Sequence, residues 1–408
     1  MSGAVSAIVP ATISGTIAVP SACSARRRWA RVSAIRSSVI HVSAPTIRGR
    51  PGRCGMCGRL RASSKGAGAV VDLEFGVFDW VDVARGRSIA ETYDDRIALA
   101  RRADHGDFER YHIAEHHGTT LGLAASPGLF AAALARETER IRLAPMTFVV
   151  PLYEPLRLAE EIAMIDQLSH GRLELGIGKG SSPVEAGMFG HSPEQMQERY
   201  DAFLPRILAA LQTGEYRDDG QVHPLTIRPV QREFTTWYPT SNPESIQRAA
   251  VNGQNTIFGF AFKSPPLQII RERRDIYFEA RAGMASTGKH PRFGVLRHVF
   301  VAPTEAEAWE QAEAAFVDHY DNFTWLWRQH GVDQPPLPDL RRLVADHLFF
   351  VGSVDAVIEQ VAHVVEATGV NYVACAFSWG SLPVADALAS IDLFDTQVIP
   401  AVRARLAG

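Results

Sequence analysis

Residues 141–178 read IRLAPMTFVVPLYEPLRLAEEIAMIDQLSHGRLELGIG, and this stretch contains the unit that decides the fold. Ile141–Val150 is a run rich in Val and Phe, which predicts a buried β-strand. Tyr153–Leu168 has the apolar spacing of an amphipathic helix, and Gly171 lies just past its end. Arg172–Gly178 is apolar again and predicts the next strand. A strand, a crossover helix and a second strand form the repeating unit of parallel α/β proteins.

The same alternation continues on both sides of this unit. Further strands are predicted over Leu73–Trp80, Tyr111–Glu115, Thr235–Thr240, Thr256–Phe260, Arg292–Val301 and Asn371–Phe377. Helices are predicted between them over Thr92–Ala103, Pro127–Thr138, Pro193–Thr213, Pro243–Asn252, Ser264–Ala282 and Val384–Leu406. Together with residues 141–178, these segments make eight strands separated by helices.

This alternation predicts an α/β fold of the (β/α)8 TIM-barrel type with insertions. An open doubly wound sheet is less favoured, because no glycine-rich dinucleotide fingerprint follows the first strand. Gly214–Gln231 is full of Gly, Asp and Pro, so we expect an inserted loop or hairpin there. Phe316–Phe350 is long for a connection and contains Trp325 and Trp327, which predicts a lid or a disordered segment.

The start of the chain differs from the rest in charge. Residues 1–70 contain no Asp or Glu but ten Arg and Lys65, which gives a net charge of +11. Subtracting them from the totals of 42 basic and 45 acidic residues leaves 31 basic and 45 acidic, or −14, for residues 71–408. We therefore predict a disordered or extraneous extension over 1–70 and a barrel over 71–408. A start codon assigned too far upstream and a transit peptide both explain the extension, whereas a nucleic-acid-binding arm is disfavoured.

Cysteine content and hydropathy bound the compartment and the partners. Cys54 and Cys57 form a lone C-x-x-C pair, which is too little to predict a metal site. Cys375 is the single cysteine of residues 71–408, which suits a reducing compartment and predicts a cytoplasmic protein. No apolar stretch reaches the ~20 residues that a membrane-spanning helix needs. We therefore expect no membrane or nucleic-acid partner.

Titratable residues follow the second predicted strand. Glu115, His116 and His117 precede Gly118 where the strand becomes a loop, and TIM barrels carry their active sites at such strand ends. If strand alternation continues, the two histidines point to opposite faces, so only one enters the pocket. His116 is the chemical candidate, with a hydrogen-bonded structural role as its alternative, and His117 is expected to support the loop. His112 shares a strand face with His116 but lies roughly 13 Å away, too far for one metal ion.

Two further strand ends suit an anion. Gly178–Ser182 combines backbone N–H groups, the cation of Lys179 and hydroxyls. Ser241–Ser245 opens a helix, whose N-terminus attracts phosphate, although an ordinary N-cap with Pro at N1 explains the same residues. Because both stretches lie at one end of the same barrel, they favour a phosphorylated ligand.

At these residues the chain resembles the bacterial luciferase-like family of flavin-dependent monooxygenases. The segments that carry the resemblance are Ala114–Gly118, Pro151–Glu161, Asp166–Gly178, Met188–Gly190, Tyr238–Ser245 and Gly352–Gly380. They extend over about residues 72–405, and the strand-four segment and the Glu-His-His run are specific when found together. The resemblance implies a (β/α)8 barrel with insertions, an oxidoreductase and a homodimer. It also implies a flavin cofactor, with reduced FMN favoured over the deazaflavin F420.

The resemblance implies roles for individual residues. His116 matches the catalytic histidine beside the flavin, and Glu185 matches an acidic residue near it. Lys179 falls where luciferases place a phosphate-binding Arg, and Met146-Thr147 falls where the family often has a strained peptide against the isoalloxazine ring. The other cofactor-binding candidates are Gly178, Gly180, Arg199, Ser241, Asn242 and Ser245. Gly178 replaces a cysteine of luciferase and Ser241 replaces a Glu, which argues against assuming light emission or a long-chain aldehyde.

The implied reaction is a monooxygenation. Reduced FMN from a separate flavin reductase reacts with O2 to give a C4a-hydroperoxide, which inserts one oxygen atom into a small organic substrate. His116 would manage protons near that adduct, and Glu115 would steady it as a second catalytic candidate. Two alternatives stay open. One is an F420-dependent hydride-transferring oxidoreductase on the same fold, and the other is a non-catalytic flavin-binding subunit.

Overall fold

The computed structural model describes residues 72–259, 262, 265–284 and 290–408. The predicted extension with Cys54 and Cys57 lies outside the described residues, as do Phe260 and Ser264 at the predicted ends of a strand and a helix. The described ranges contain the strands β1 (Glu74–Asp79), β2 (Arg110–Ile113), β3 (Arg142–Pro145), β4 (Phe148–Val149), β5 (Leu175–Gly178), β6 (Glu215–Asp218), β7 (Gln221–Pro224), β8 (Thr236–Trp237), β9 (Thr256–Phe258), β10 (Phe293–Val301), β11 (Phe349–Gly352) and β12 (Tyr372–Ala376).

The helices follow the strands in the order that a barrel requires. They are α1 (Ile89–His105), α2 (Pro127–Glu137), α3 (Pro155–Leu168), α4 (Pro183–Met188), α5 (Pro193–Thr213), α6 (Pro243–Val251), α7 (Leu267–Ala282), α8 (Glu305–Gln329), α9 (Leu340–Ala345), α10 (Val354–Thr368), α11 (Val384–Leu393) and α12 (Ile399–Ala407). The bounds of α5 agree with the prediction because Ser192 and Gln195 form a capping box before it. Gly214 ends it with φ at 81°.

Eight parallel strands close into a ring, which confirms the predicted (β/α)8 barrel. β12, β1, β2 and β3 pair in that order, and β5 pairs with β8. A bridge between Leu143 and Leu173 joins β3 to the segment before β5, and one between Trp237 and Asn255 joins β8 to the segment before β9. β9 pairs with β10, and β10 with β12, so the ring is complete.

Two segments differ from the sequence prediction, and a third agrees with it. The predicted strand over Ile141–Val150 is two strands, β3 and β4, because Pro145 has no N–H group to continue the ladder. Phe316–Phe350 is not a loop, since residues up to Gln329 belong to α8 and are followed by α9 and β11. Buried residues recur along α8 at helical spacing, including Ala312, Phe316, His319 and Asn322. The hairpin expected within Gly214–Gln231 is present as β6 and β7.

Charged and polar side chains fill the N-terminal ends of the strands, which we call the floor of the barrel. The floor cluster comprises Glu74, Arg110, His112, Glu174 and Tyr372. Arg110 donates to Glu74 at 2.6 Å and to Glu174 at 2.9 Å. The Tyr372 hydroxyl lies 2.7 Å from His112 Nε2. The opposite ends of the strands, which we call the mouth, carry the candidate site.

Candidate active site

The turn after β1 brings two side chains into the mouth. Val81 adopts φ at 52°, a left-handed conformation that is costly for a β-branched residue. Its N–H group donates to Asp79 Oδ1 at 2.8 Å, which holds the turn closed. The turn places Trp80 against the ring of His116, with centroids 5.7 Å apart and planes 26° apart. It also directs Asp82 toward α8. Backbone strain of this kind is concentrated at functional sites.

His116 and His117 form hydrogen bonds with different carboxylates, but strand alternation is not the reason for this difference. β2 ends at Ile113, so the Glu-His-His run is a loop. His116 Nδ1 donates to Glu185 Oε1 at 3.0 Å, and Glu185 lies in the first turn of α4. The carboxylate fixes the hydrogen on Nδ1, which leaves His116 Nε2 free to exchange a proton with a bound molecule. His117 Nε2 donates to Glu115 Oε1 at 3.0 Å instead.

Glu115 is buried and joins two strand ends. Its Oε2 accepts hydrogen bonds from the Val149 N–H group and the Tyr153 hydroxyl, both at 2.9 Å. Burial raises the pKa of Glu115, although the hydrogen bonds from His117, Val149 and Tyr153 oppose that effect. All of these partners belong to the protein, so the geometry favours a positioning role for Glu115 over direct contact with a ligand.

The ends of β3 and β5 pack closely through glycine. A Cβ atom added at Gly176 would lie 1.8 Å from the carbonyl oxygen of Pro145, and one at Gly178 would lie 2.6 Å from Thr147 Oγ1. The peptide bond between Met146 and Thr147 is cis. Gly178 is therefore required by its neighbour Thr147, which gives a packing reason for glycine at this position.

The segment after β5 lies between β4 and α5. Gly180 has φ at 80°, and a Cβ atom there would lie 3.0 Å from a methyl group of Val149 and 3.1 Å from Met196 Cε. Lys179 is exposed between the two glycines. Arg199 follows on α5, where its Nε donates to the carbonyl oxygen of Pro151 at 2.7 Å. The structure thus brings the predicted anion-binding segment against the helix that carries Arg199.

The N-terminus of α6 adds a second anion-binding element. Asn242 caps it by accepting from the Ser245 N–H group at 3.0 Å, and Ser241 is exposed just before the cap. Arg248 donates to Ser245 Oγ at 3.1 Å, so a further cation stands beside the predicted residues. Arg248 is not among the residues that the sequence predicts for this site. Its position three residues after Ser245 on a predicted helix indicates that the two side chains are neighbours. Burial raises the pKa of Tyr200 of α5, and the charge of the nearby Arg248 opposes that effect.

A ring-lined cavity of about 20 Å³ lies beside Trp80 in the mouth. Its lining residues are Gly259, Phe262, Leu296, His298, Phe323, Leu348 and Phe349. Trp80 is nearly parallel to His298 at 6.5 Å, and Phe323 meets Trp80 edge-on at the same distance. Trp325 and Trp327, which the sequence suggested for a lid, do not line this cavity. Phe323 on the same helix does.

Behind that cavity lies a buried pair that sequence reading missed. His319 on α8 donates from Nδ1 to Asp82 Oδ2 at 3.1 Å, and both side chains are fully buried. Burial raises the pKa of Asp82, but the hydrogen bond and charge of His319 and the charge of Arg96 outweigh it and lower the pKa. No local sequence pattern links Asp82 with His319, because they come together only in the closed barrel. The one signal in the sequence for a polar group in this region was His298, which interrupts an apolar strand.

Two negative findings concern metals and membranes. Within the residues that the structure describes, no group of three or more His, Cys, Asp or Glu side chains is placed to hold a metal ion. In the same ranges no helix combines the length and the apolar character that crossing a membrane requires.

Comparisons with known proteins agree with the barrel and its mouth. A family model described as luciferase-like monooxygenase matches residues 73–372. Protein y4wF of Sinorhizobium fredii, itself uncharacterised, is 36% identical over 321 residues, which cover 76% of this chain and 92% of that protein. The oxygenase component of flavin-dependent trigonelline monooxygenase from Acinetobacter baylyi is 29% identical over 276 residues, covering 64% and 74% of the two chains.

One solved structure is informative for the fold. It is the oxygenating constituent of 3,6-diketocamphane monooxygenase from Pseudomonas putida, a type II Baeyer-Villiger monooxygenase in complex with FMN. It superposes with a TM-score of 0.67 at 23% identity, covering 81% of this chain and 98% of that chain. The similarity therefore extends over nearly all of the solved chain.

Proposed function

This chain belongs to the luciferase-like monooxygenase family of flavin-dependent oxidoreductases, and we propose that it is the oxygenase component of a two-component system. It would take reduced FMN from a separate flavin reductase and use O2 to oxygenate a small organic substrate. The observation that carries this proposal is the His116–Glu185 pair, which leaves His116 Nε2 free beside Trp80 at the mouth of the barrel.

The residues present fit a flavin phosphate. Lys179 follows β5, Arg199 lies on α5 and Arg248 lies on α6, and none of the three pairs with a carboxylate in the described ranges. Cations in the floor are paired, whereas these three are available to a dianion. The first turn of α6 adds backbone N–H groups and the Ser245 hydroxyl. We propose that these groups hold the phosphate of FMN, with Ser241 and Asn242 at the edge of the site.

The isoalloxazine ring would lie over Met146, Thr147, Gly178 and Gly180. The two glycines keep this surface free of Cβ atoms, since each is already in close contact with a neighbouring strand end. Reduced FMN supplies two electrons, so that one atom of O2 enters the substrate and the other leaves as water. The C4a-hydroperoxide that the family resemblance implies is part of this proposal.

The protein's own residues would manage protons and position. His116 Nε2 would hold or release a proton at the reacting centre, while Glu185 keeps the ring in one tautomer. Glu115 would act through His117 and the ends of β3 and β4 rather than on the flavin itself. Trp80 stacks on His116 and would exclude water from one side of the imidazole.

Two other functions are kept as alternatives. An F420-dependent hydride-transferring oxidoreductase would use the same fold without O2, and a non-catalytic flavin-binding subunit would use the phosphate site alone. The fully formed His116–Glu185 pair favours a catalytic subunit over the second alternative. A homodimer and a cytoplasmic location are further proposals that the family resemblance and the single cysteine of the barrel motivate.

The test is incubation of the full-length chain with FMN, a flavin reductase, NADH and O2. A panel of aldehydes, ketones, phenols and sulfur compounds is supplied, and products are read by mass with 18O2. We expect one oxygen atom from O2 in a product and O2 consumption above that of the reductase alone. Turnover with F420 in the absence of O2 would instead establish the hydride-transfer alternative. FMN binding without product from any class, in the presence of active reductase, would favour the non-catalytic subunit.

A further inference from the structure

The buried carboxylate of Asp82 joins three separate segments at the mouth. Asp82 lies in the turn after β1, and its Oδ2 lies 3.1 Å from His319 Nδ1 and 3.4 Å from Asn322 Nδ2, both on α8. The same oxygen accepts from the Gly380 N–H group at 2.8 Å, in the loop after β12. The turn, α8 and that loop therefore meet at one oxygen atom.

The backbones of these segments are also in direct contact. Asn322 Nδ2 donates to the carbonyl oxygen of Val83 at 2.8 Å, which ties α8 to the turn a second time. At Gly380 an added Cβ atom would lie 2.1 Å from the carbonyl oxygen of Ala315 and 2.8 Å from the backbone nitrogen of His319. The loop after β12 thus packs on the backbone of α8, and only glycine allows this approach.

The other oxygen of Asp82 faces a buried cation. Asp82 Oδ1 accepts from Arg96 Nη2 at 2.9 Å, and Arg96 Nη1 lies 3.6 Å from Asp79 Oδ1. The side chains of all three residues are almost completely buried. Because donors surround both oxygens of Asp82, its carboxylate is held in one orientation.

Asp79 holds the same turn from its other end. Its Oδ1 accepts from the Val81 N–H group at 2.8 Å, and its Oδ2 accepts from the Tyr111 hydroxyl at 2.6 Å. Val81 has φ at 52°, and a left-handed backbone is costly for a β-branched residue. The turn therefore depends on the hydrogen bonds that Asp79 and Asp82 accept on either side of Val81.

The turn and α8 each carry an aromatic ring of the mouth. Trp80 lies between Asp79 and Val81 in the chain and stacks on His116, with centroids 5.7 Å apart. Phe323, which follows Asn322 on α8, meets Trp80 edge-on at 6.5 Å. The place of Trp80 beside His116 is thus set by the two segments that Asp82 joins.

We propose that Asp82 is a positioning residue of the active site, which holds Trp80 against His116 by tying the turn after β1 to α8. Its carboxylate acts through the turn and the helix rather than on a bound molecule. The inference rests on the proposed function for the part that His116 takes in oxygenation, and on the geometry alone for the place of Trp80.

Asp82→Asn tests this proposal because it keeps the size of the side chain. A carboxamide has only one acceptor oxygen, so its NH2 group must face either Arg96 or the donors of α8 and Gly380. No orientation satisfies both sides, and the turn should lose its tie to α8 or to Arg96. We expect kcat to fall about tenfold, while the FMN dissociation constant changes by less than about twofold.

A spectroscopic readout follows the Trp80–His116 stack itself and needs neither flavin nor substrate. The full-length chain is labelled with 13C-histidine, and the ring signals of His116 are identified by their loss in His116→Asn. The ring current of Trp80 displaces these signals, and Trp80→Leu gives their position without the stack. We expect Asp82→Asn to move the His116 signals toward the position found in Trp80→Leu. A role in stability alone would lower Tm and leave them in place.

Asp104→Asn is the matched control at the floor end of the barrel. Asp104 is also buried, near the end of α1, and its carboxylate accepts at 2.6–2.9 Å from the backbone N–H groups of Glu139, Arg140 and Ile141. This variant should lower Tm but keep the natural His116 signals and the natural kcat. If Asp82→Asn does not fold, Asn322→Leu removes one tie to α8 and leaves the Asp82–Arg96 ion pair, so it should move the signals in the same direction.

The outcomes separate this proposal from the proposed function. Natural His116 signals in both Asp82→Asn and Asn322→Leu, or the same displacement in Asp104→Asn, would overturn the positioning role. Displaced signals with the natural kcat would overturn it as well, because the place of Trp80 would then not matter to the reaction. Displaced signals in a chain that oxygenates nothing would uphold the place of Trp80 and count against the proposed function alone.

Discussion

His112 and His116 lie four residues apart, yet one belongs to the floor of the barrel and the other to its mouth. His112 is fully buried, and both of its nitrogens are used: Nδ1 donates to the carbonyl oxygen of Ala144 and Nε2 accepts from Tyr372. His116 uses only Nδ1, for Glu185. Proximity in sequence therefore does not decide which histidine is reactive. Unsatisfied hydrogen-bonding capacity beside an accessible space does.

The same difference separates the two regions as a whole. In the floor, Glu174 accepts from Arg110, from Arg142 and from the Trp237 indole at 2.6 Å. In the mouth, by contrast, Trp80, His298 and His319 each keep a buried nitrogen without a partner. A saturated cluster stabilises one conformation, whereas an unsaturated one is suited to a ligand.

The largest effect is expected from His116→Asn in the mouth. Loss of the group that moves protons should lower oxygenation on the order of a thousandfold, which is about 4 kcal/mol in activation free energy. FMN affinity and thermal stability should change little, because His116 has only one hydrogen bond to the protein. The measurement is kcat for the product found with 18O2, alongside the FMN dissociation constant.

His117→Asn is the matched control for that measurement. It removes the neighbouring imidazole, whose partner is Glu115 rather than Glu185. We expect a smaller loss of activity accompanied by a lower Tm, since the Glu115 carboxylate would lose a hydrogen bond in a buried site. If the two variants lost activity equally, the distinction between a reactive and a supporting histidine would be wrong.

The second effect tests the floor through Glu174→Gln. This change leaves the buried guanidinium of Arg110 with one fewer compensating charge, so the free energy of unfolding should fall by about 3 kcal/mol. Glu185→Gln makes the same chemical change in the mouth, where it should alter stability by less than about 1 kcal/mol and mainly lower activity. Urea unfolding of both variants gives the comparison. A larger stability loss at Glu185 than at Glu174 would reverse the assignment of the two regions.

The barrel was predictable from sequence because each strand and helix has its own local pattern. The α5 helix illustrates this, since Ser192 directly precedes its first residue and Gly214 directly follows its last. The end of α8 and the whole of α9 differ from the prediction, because the length and the prolines of Phe316–Phe350 favoured a loop. The helical spacing of buried residues in α8 was present in the sequence and was the stronger signal.

The candidate site was predictable only in part, for a geometric reason. His116 and the residues at the start of α6 lie in the segments that carry the family resemblance, and Glu185 lies between two such segments, so the resemblance selected them. Asp82, His298 and His319 come from the turn after β1, from β10 and from α8, which meet only when the ring closes. No spacing rule connects residues separated by 237 positions, and their roles depend on which nitrogens stay unpaired.

The third effect concerns the floor at low pH. Burial and the charge of Arg110 lower the pKa of His112 to about 3, from 6.5. Between these values the unfolded chain binds a proton at His112 that the folded chain does not, so stability falls as the pH drops below about 6.5. At pH 5 the loss from this group should be about 2 kcal/mol. Urea unfolding at pH 7 and pH 5 should therefore show a smaller difference for His112→Gln than for the natural chain, and His116→Asn should retain the natural difference.

The smallest effect tests the cations of the mouth, which contrast with the paired cations of the floor. Arg248→Met and Lys179→Met each remove a positive charge that has no carboxylate partner among the described residues, so folding should be little affected. If these charges face the FMN phosphate, each variant should bind FMN about tenfold more weakly, or about 1.4 kcal/mol. Riboflavin lacks the phosphate and should bind the variants and the natural chain equally, while added salt should weaken FMN alone. A parallel loss of riboflavin affinity would mean that Arg248 and Lys179 shape the pocket rather than bind the phosphate, and the contrast between paired and unpaired cations would then carry no functional meaning.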